Sequence, residues 1–531
     1  MKYRHYRKLE VAMQGTWGRR VATASVALSL GLTGAACSSR SSPTGDAGGQ
    51  TASTQFVIAR TGDIDLLDPH RATAFQTVQT LGLIYGNLVK ADSSGKLHAD
   101  LATEWSYADA GRTVTFTLRQ GVRFHNGDPF TSADVKASIT RLQDEKTSAV
   151  ARSNLSGITG VDTPDDHTLV LHLKAADSAL LYALSAVNAA VLDAKDIAAD
   201  TVGKKPNGTG PFSFGSWQQN RDLTLKASQG YWGGAPKLAT VIFRIIPDEP
   251  SILAGMRAHS FQMATISDPT VAQQVSGDAV TLVKQPALSY HALMLNGRRA
   301  PLDKPAVRQA IACAVDRQQV ITTVANGDGK VTGPITSPAF DYSATQGLPC
   351  TAGDTAKAGQ LLAGAGFGPD HPVKLRAIVE TGEYATSVAE GQNLQAQLKA
   401  IGIQLTLEQE ATDSYVKRWL AADYDAAVAL NGGSYSPYTM YGRYFTTGGS
   451  LGIPAGLDSP DLSALLNRAN QETDDAAQHQ LYQQVQEKLL ELSPWVWLFR
   501  GDDYYLLSPT VHGFVPMPNQ SLQYLAETSV G

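Results

Sequence analysis

Two short stretches in the first third of the chain have the two-residue period of a strand. Residues 113–119 and 168–174 place an apolar side chain at every second position, which predicts half-buried strands. Between them, Val135, Ile139 and Leu142 recur at helical spacing, which predicts an amphipathic helix. The first third therefore mixes strands and helices.

The clearest helical pattern lies in the middle of the chain. Five apolar residues fall at the spacing of one helix face: Val307, Ala310, Ile311, Ala314 and Val315. Cys313 lies to one side of this stripe, so its thiol is able to face the following loop, which contains Cys350.

A strand, a helix and a second strand then follow one another. Residues 373–379 and 403–407 have strand patterns, and residues 387–400 place Leu394 and Leu398 on one helix face. Such a unit predicts two parallel strands joined by a right-handed crossover.

The last part of the chain carries one more strand, two helices and an aromatic run. Residues 424–430 predict a strand that leads into the loop at 431–437. Helices are predicted near 461–469 and 476–492, and the aromatic run at 494–499 has the character of a strand.

The N-terminus has the organisation of an export signal. Six basic residues come first: Lys2, Arg4, Arg7, Lys8, Arg19 and Arg20. An uncharged apolar run at 21–32 follows, and three small residues then precede Cys37. This pattern predicts a bacterial lipoprotein signal peptide over residues 1–36, with a diacylglycerol on the thiol of Cys37.

Two alternatives remain open at this end of the chain. A plain secretory signal cut near Ala36 is the alternative to lipidation, and the start codon is either Met1 or Met13. Residues 37–54 are rich in Ser, Gly and Thr, which predicts a flexible tether between the anchor and a folded body.

The charge and the cysteines of the exported chain indicate which partners and which cross-links to expect. Removal of residues 1–36 leaves 38 Lys and Arg against 48 Asp and Glu, a net charge of −10. An acidic body without a basic stripe argues against nucleic acid as a partner. Outside the cytosol, Cys313 and Cys350 are expected to form a disulfide, and two buried free thiols are the alternative.

Four groups of motifs follow one another along residues 57–520. In chain order they are LDPH (67–70) with IYGNLV (84–89); LATEW (101–105) with LRQGVRFHNGDPF (118–130) and DV (134–135); GTGPF (208–212) with YW (231–232); and LN (295–296), PL (301–302), VRQAI (307–311) and AVDR (314–317). Together they resemble the dipeptide/oligopeptide-binding family, family 5, of the solute-binding lipoproteins of ABC importers. Most of these residues are expected to be scaffold.

The resemblance implies an α/β fold. It is a two-lobed, hinged fold of the periplasmic-binding-protein type, with two crossing strands and an extra subdomain in the first lobe. The implied parts are the first lobe at 55–287 and 498–531, its subdomain at about 76–205, the second lobe at 288–497, and crossings near 286–290 and 495–499.

The resemblance also implies a binding function and no enzymatic activity. Such a protein captures peptides or peptide-like solutes outside the cytoplasm and delivers them to the permease subunits of an ABC transporter. The expected partners are the ligand, the permease and the membrane, to which the protein is attached through its lipid. A monomer without cofactor or metal is expected. A surface receptor that binds peptide without transport is an alternative.

The chain departs from the family in the loop at 431–437. Peptide-binding members carry an aspartate there that holds the ligand's α-ammonium, and this chain has Ser434 at that position. Recognition is then expected to depend on hydrogen bonds and aromatic contacts. The predicted ligand-binding residues are Asn431, Gly432, Gly433, Ser434, Tyr435, Tyr438, Trp497, Phe499 and Arg500.

For several of these residues, a structural role is the alternative to ligand binding. Trp497 and Phe499 are also typical of core packing, and Arg500 is also typical of a solvated surface. Tyr441 and Tyr444, close to the loop, are expected to pack a helix. Without the aspartate, the ligand alternatives are a capped, cyclic or glycosylated peptide, a siderophore-like solute, a haem or a metal chelate.

A serine hydrolase is the enzymatic alternative. The sequence GGSYS at 432–436 falls one residue short of G-x-S-x-G, and Asp461 and His512 follow Ser434 in a triad order. Ser436 replaces the closing glycine, however, and Pro437 opposes an immediate helix. The sequence contains no HExxH, CxxC or GxxxxGK[ST] motif.

Overall fold

The computed structural model describes residues 55–340, 352–381, 384 and 386–531. The predicted signal peptide and tether, Cys37 and Cys350 lie outside the described residues. None of the helices in the described ranges is both long enough and apolar enough to cross a bilayer.

The described chain contains strands and helices along its whole length. The strands are β1 Gln55–Arg60, β2 Val89–Ala91, β3 Leu97–Ala99, β4 Ala102–Ala108, β5 Thr113–Leu118, β6 Ile158–Asp165, β7 Thr168–Leu173, β8 Phe212–Gln218, β9 Asp222–Ala227, β10 Thr240–Ile245, β11 Met263–Ile266, β12 Thr281–Pro286, β13 Tyr290–Leu295, β14 Lys330–Val331, β15 Val373–Glu380, β16 Ile403–Glu410, β17 Ala426–Asn431, β18 Trp495–Arg500, β19 Asp502–Leu507, β20 Val511–His512 and β21 Ser529–Val530. The α-helices are α1 Phe75–Leu81, α2 Ser132–Gln143, α3 Ala179–Leu184, α4 Ala194–Ala198, α5 Glu249–Arg257, α6 Pro269–Ala272, α7 Pro305–Ala314, α8 Arg317–Val324, α9 Thr355–Gly364, α10 Ser387–Lys399, α11 Thr412–Leu420, α12 Pro437–Phe445, α13 Pro460–Gln471 and α14 Asp475–Leu492.

A seven-stranded mixed sheet forms the centre of the first lobe. Its strand order is β12-β19-β11-β1-β10-β9-β8, and β1 runs parallel to both of its neighbours. The apolar side chains on its two faces form separate cores, one around Phe56 and Phe243 and the other around Leu253 and Leu506. Both faces of this sheet are therefore buried.

The extra subdomain of the first lobe is built on a four-stranded antiparallel sheet. Its order is β4-β5-β7-β6, and the two alternating stretches predicted from the sequence form β5 and β7. The predicted apolar face of α2 is buried against this sheet. Asp134 closes a capping box at the start of α2, since its Oδ2 accepts from the Thr131 amide at 2.8 Å.

A six-stranded sheet forms the centre of the second lobe. Its order is β14-β18-β13-β17-β15-β16. Strands β15 and β16 pair in parallel and are joined through α10, which confirms the predicted crossover unit. Because β15, β16 and β17 are mutually parallel, their carboxyl ends reach the same edge of the sheet. Ligands of open α/β sheets bind at such an edge.

The chain crosses between the two sheets twice, at adjacent places. β12 ends at Pro286 and β13 begins at Tyr290, and β18 is separated from β19 by Gly501 alone. The Ala287 amide donates to the Gly501 carbonyl at 3.1 Å, so the crossings are hydrogen-bonded to each other. This arrangement makes the fold two-lobed and hinged, as the resemblance implied, but the return crossing lies at Gly501 and not near 495–499, because β18 belongs wholly to the second sheet.

Several motif residues have the structural role that was expected. A Cβ at Gly208 would overlap the Ile84 carbonyl, so only glycine fits this close approach. Asp316 caps α8 by accepting from the Gln319 amide at 3.0 Å. Arg308 donates to the Leu302 and Leu492 carbonyls, deep inside the second lobe.

Candidate functional site

A cavity of about 1080 Å³ lies where the subdomain of the first lobe faces the second lobe. We call it the interlobe cavity. The first lobe lines it with Val150, Ser153, Asn154, Ser156, Gly157, Ala179 and residues 174–177. The second lobe lines it with residues 432–434, 438–440 and 448–451, and with Gly442, Arg443, Thr446, Asn467, Asn470 and Gln471. Its volume is close to the upper end of the range of small-molecule sites.

The loop after β17 holds the first group of predicted site residues. β17 ends at Asn431, and Gly432, Gly433 and Ser434 then line the interlobe cavity. Asn431 lies elsewhere, since its buried side chain borders a separate pocket of about 120 Å³. The loop after β17 therefore meets the cavity over three residues.

Gly433 is needed for the close packing of the loop on the hinge. A Cβ at this position would overlap the carbonyl of Leu288, which lies in the first crossing. The backbone of the loop therefore packs directly on the crossing segment. A larger residue at 433 is expected to displace the two from each other.

Ser434 is held in a local turn. Its Oγ accepts from the Ser436 amide at 3.2 Å, and Ser436 in turn caps α12 through the Thr439 amide. Its hydroxyl proton is not used in that bond, so Ser434 is able to donate into the cavity. It supplies no charge.

The two tyrosines of the loop play different parts. Tyr435 is buried between Ala91 and Leu288, so this second-lobe ring packs on the first lobe. Tyr438 lines the cavity, and its hydroxyl donates to Asn467 Oδ1 at 3.1 Å. Tyr438 thus presents an aromatic face whose polar end is already fixed.

The aromatic residues of β18 lie in the core of the second lobe. Trp497 is 2% exposed, and its indole N–H donates to the Tyr441 hydroxyl at 3.0 Å. Phe499 is 1% exposed and stacks on His291, with ring centroids 4.1 Å apart. Neither side chain lines the interlobe cavity, and Arg500 donates to the Thr336 carbonyl at 3.1 Å.

The tyrosines of α12 have the packing role that was expected. Tyr441 is fully buried and Tyr444 is 5% exposed, and both rings contact Trp495. Burial in this aromatic cluster raises the pKa of the Tyr444 hydroxyl.

A set of hydrogen bonds closes the lobes on each other at the rim of the cavity. Asn470 of the second lobe donates from Nδ2 to Asp177 Oδ1 at 2.9 Å. Its Oδ1 accepts from the Ala179 amide at 3.1 Å and from the Ser178 hydroxyl at 3.2 Å. The Ser178 amide also donates to the Asn470 carbonyl at 2.8 Å. We call this set the rim latch.

Asp177 belongs to both the latch and the cavity, and the sequence alone did not reveal it. Residues 177–178 precede an apolar run, which is a helix-start signal and not a site signal. Burial raises the pKa of the Asp177 carboxyl, and the Asn470 bond works against that shift. The carboxylate in turn contributes to a raised pKa at Tyr438, after the burial of that ring.

A second set of contacts joins the lobes beside the crossings. Lys284 on β12 forms an ion pair of 2.5 Å with Asp328 of the second lobe. The Tyr504 hydroxyl on β19 donates to the other oxygen of the same carboxylate at 3.1 Å. Near the hinge, the Asp328 carboxylate of the second lobe thus binds two side chains of the first lobe, Lys284 and Tyr504.

The residues of the hydrolase alternative do not meet in a triad. Asp461 lies in the first turn of α13, and His512 lies on β20, which pairs with β21 in the C-terminal segment. The hydrogen bond recorded on Ser434 Oγ comes from a backbone amide. Across the described ranges, no group of three or more His, Cys, Asp or Glu is arranged to hold a metal ion.

The family model of the bacterial extracellular solute-binding proteins, family 5, matches residues 96–452 of the chain. The match covers the four-stranded sheet of the subdomain, the first-lobe wall of the interlobe cavity and the loop after β17, and it ends before Asn467, Asn470 and Gln471 of the second-lobe wall. The chain belongs to this family. The resemblance stated from the four groups of motifs is thereby confirmed.

Individual relatives are similar to this chain over most of their length. The probable D,D-dipeptide-binding periplasmic protein DdpA of Escherichia coli K12 is 26% identical, over 87% of this chain and 92% of its own. The structure of AgaA from A. tumefaciens R10 with agropinic acid has a TM-score of 0.76 at 27% identity. The comparison covers 90% of this chain and 99% of the AgaA chain. The structure of DppA from Helicobacter pylori with the peptide STSA has a TM-score of 0.74 at 23% identity. It covers 90% of this chain and 98% of the DppA chain.

Family 5 membership fixes the general function. The chain is an extracellular solute-binding protein with the two-lobed fold of its relatives, as the sequence predicted. The relatives named above are binding proteins. The choice of ligand therefore rests on the residues of the interlobe cavity.

Proposed function

We propose that the protein captures a peptide or peptide-like solute in the interlobe cavity and delivers it to the permease subunits of an ABC transporter. The observation that carries this proposal is the cavity itself, because both lobes line it and the loop after β17 forms one of its walls. A site shared between hinged lobes couples occupancy to closure, which is how such proteins report ligand to a partner.

The lining suits a solute with amide and hydroxyl groups. Ser434 and Thr439 offer hydroxyls, Asn154 and Asn467 offer amides, and Tyr438 offers an aromatic face. Peptide bonds both donate and accept, so such a lining satisfies a bound backbone. The D,D-dipeptide ligand in the name of the Escherichia coli relative supports the peptide class.

A second candidate ligand is an opine-like conjugate of an amino acid and a sugar. It is favoured by the likeness to AgaA, whose structure contains agropinic acid. The same hydroxyl and amide lining also satisfies sugar hydroxyls. The two candidates share an amino-acid part and differ in what is attached to it.

We also propose that the protein is a monomer attached to the outer face of the cell membrane through lipid on Cys37. The support is the pattern of small residues before Cys37 and the tether-like composition that follows it. A disulfide between Cys313 and Cys350 belongs to the same extracytoplasmic proposal. The lobe boundaries are best set at the two crossings, near residues 287–289 and at Gly501.

The ligand is tested by native mass spectrometry of the full chain, purified from an exporting host without denaturation. A bound mass that fragments into amide-linked residues is expected. A mass that fragments into an amino acid and a sugar supports the second candidate and contradicts the peptide class. Genes for a permease pair and ATPases beside this gene are expected for transport. A gene neighbourhood that lacks them contradicts delivery and favours a receptor.

A further inference from the structure

The interlobe cavity has an unequal set of charges. Among its described lining residues, Asp177 is the single acid, and Lys174 and Arg443 are the two bases. The acid belongs to the first lobe and Arg443 to the second, whereas the loop after β17 contributes no charge. A negative charge is therefore present in the cavity, on the wall opposite Ser434.

The two oxygens of Asp177 have different surroundings. Oδ1 accepts from Asn470 and from the Ala179 amide, at 2.9 and 3.1 Å. Oδ2 faces Gly157, where a Cβ would lie 3.7 Å away, and Gly157 also lines the cavity. The side chain missing at 157 leaves the approach to Oδ2 open.

The charged neighbours of Asp177 matter as much as its hydrogen bonds. Within the described part of the chain, no Lys, Arg or His forms an ion pair with it. A carboxylate that is partly withdrawn from water and held by neutral donors gains most from a cation that arrives with its own hydrogen-bond donors. A primary ammonium is the cation of that kind that a small solute brings.

An aromatic ring lies beside the same carboxylate. Tyr438 shares the cavity wall with Asn470, which binds Asp177, and its hydroxyl is fixed on Asn467. A ring held in this way offers its face to a cation, and carboxylate and ring together recognise an ammonium better than either alone.

We infer that Asp177 Oδ2 binds the ammonium group of the solute, so that the countercharge missing at Ser434 is supplied by the opposite lobe. This inference rests on the proposed function and names its substrate class. The class is a solute with a free primary amine, such as a peptide with an unblocked N-terminus. Lys174 and Arg443, at the exposed side of the cavity, are placed to attract a carboxylate of the same solute.

The test uses two peptide mixtures of two to five residues, one with free N-termini and one N-acetylated. Binding to the full chain is measured by native mass spectrometry and then by calorimetry on the peptides retained. Wild type is expected to retain free-amine peptides. Asp177→Asn, which keeps the acceptor for Asn470 and loses the charge, is expected to bind them about 10- to 100-fold more weakly.

Asp475→Asn is the matched control, because it removes an equal charge from an exposed acid at the start of α14, outside the cavity lining. It is expected to bind like wild type, and all three proteins are expected to remain folded. Equal binding by Asp177→Asn and wild type would overturn the role of Asp177 and leave the peptide function standing. Preference of wild type for acetylated peptides would overturn it as well. Failure of wild type to bind either mixture would refute the peptide function itself.

Discussion

The rim latch predicts that one asparagine sets the balance between open and closed lobes. Asn470→Ala removes three side-chain hydrogen bonds between the lobes and keeps the backbone bond from Ser178. Two of the lost bonds join neutral groups, and one ends on the Asp177 carboxylate. Net values of about 1 kcal/mol for a neutral bond and about 1.5–3 kcal/mol for a charged one suggest a loss of about 2–4 kcal/mol after non-additivity.

Such a loss shifts the closure equilibrium about 30- to 700-fold toward the open form, since about 1.4 kcal/mol is tenfold. Small-angle X-ray scattering of the unliganded protein measures this directly. The variant is expected to have a larger radius of gyration and a longer maximum dimension than wild type.

Asn467→Ala is the matched control for the latch. Asn467 lies one helical turn earlier on α13 and lines the same cavity, but its recorded bond is to Tyr438 within the second lobe. This variant is expected to scatter like wild type. If Asn470→Ala also scatters like wild type while remaining folded, the latch does not hold the lobes, and the reasoning fails.

Four further outcomes are expected. Replacing Cys37 with Ser should release the exported protein into the medium, and unchanged membrane retention would contradict the lipid anchor. Thiol titration of the unfolded, unreduced protein should find neither Cys313 nor Cys350 free, whereas two free thiols would exclude the bridge. Trp497→Ala should lower the free energy of unfolding by about 3–5 kcal/mol through loss of a buried ring and leave the peptide preference unchanged; an altered preference in the folded variant would place that ring at the ligand. Burial raises the pKa of the Asp503 carboxyl to about 8, so the free energy of unfolding should fall as pH rises from about 4 to about 8; Asp503→Asn should flatten that slope in pH-dependent melting, and an unchanged slope would contradict the assignment.

The elements that the sequence predicted are those whose pattern is local. The alternation in β5 and β7 and the stripe on α2 depend only on which face of each element meets a core. The bounds of β5 and β7 were therefore predicted to within one residue, and the predicted apolar stripe lies within α2. In the parallel unit, the bounds of β15 were predicted to within one residue, whereas β16 extends three residues beyond the predicted end at 407. Register and face follow from the period of the side chains.

The site was harder to predict because it depends on packing between distant parts of the chain. Trp497 has the same sequence context whether its face meets a ligand or the tyrosines of α12, and the position of α12 decides between them. Asp177 and Ser434 are 257 positions apart. Only the closure of the subdomain on the second lobe brings them to one cavity.

The position of β19 has a consequence for how the molecule is made. This strand, Asp502–Leu507, lies inside the first sheet, between β12 and β11, although it follows the whole second lobe in the chain. During export from the N-terminus, the first lobe emerges before β19, so β11 has an unpaired edge and β12 lacks the strand with which it pairs in this sheet. The second lobe has all six of its strands before β19 arrives. The final step is therefore the insertion of β19, and a chain cut short before residue 502 is left with exposed strand edges, which mark it for proteolysis or aggregation.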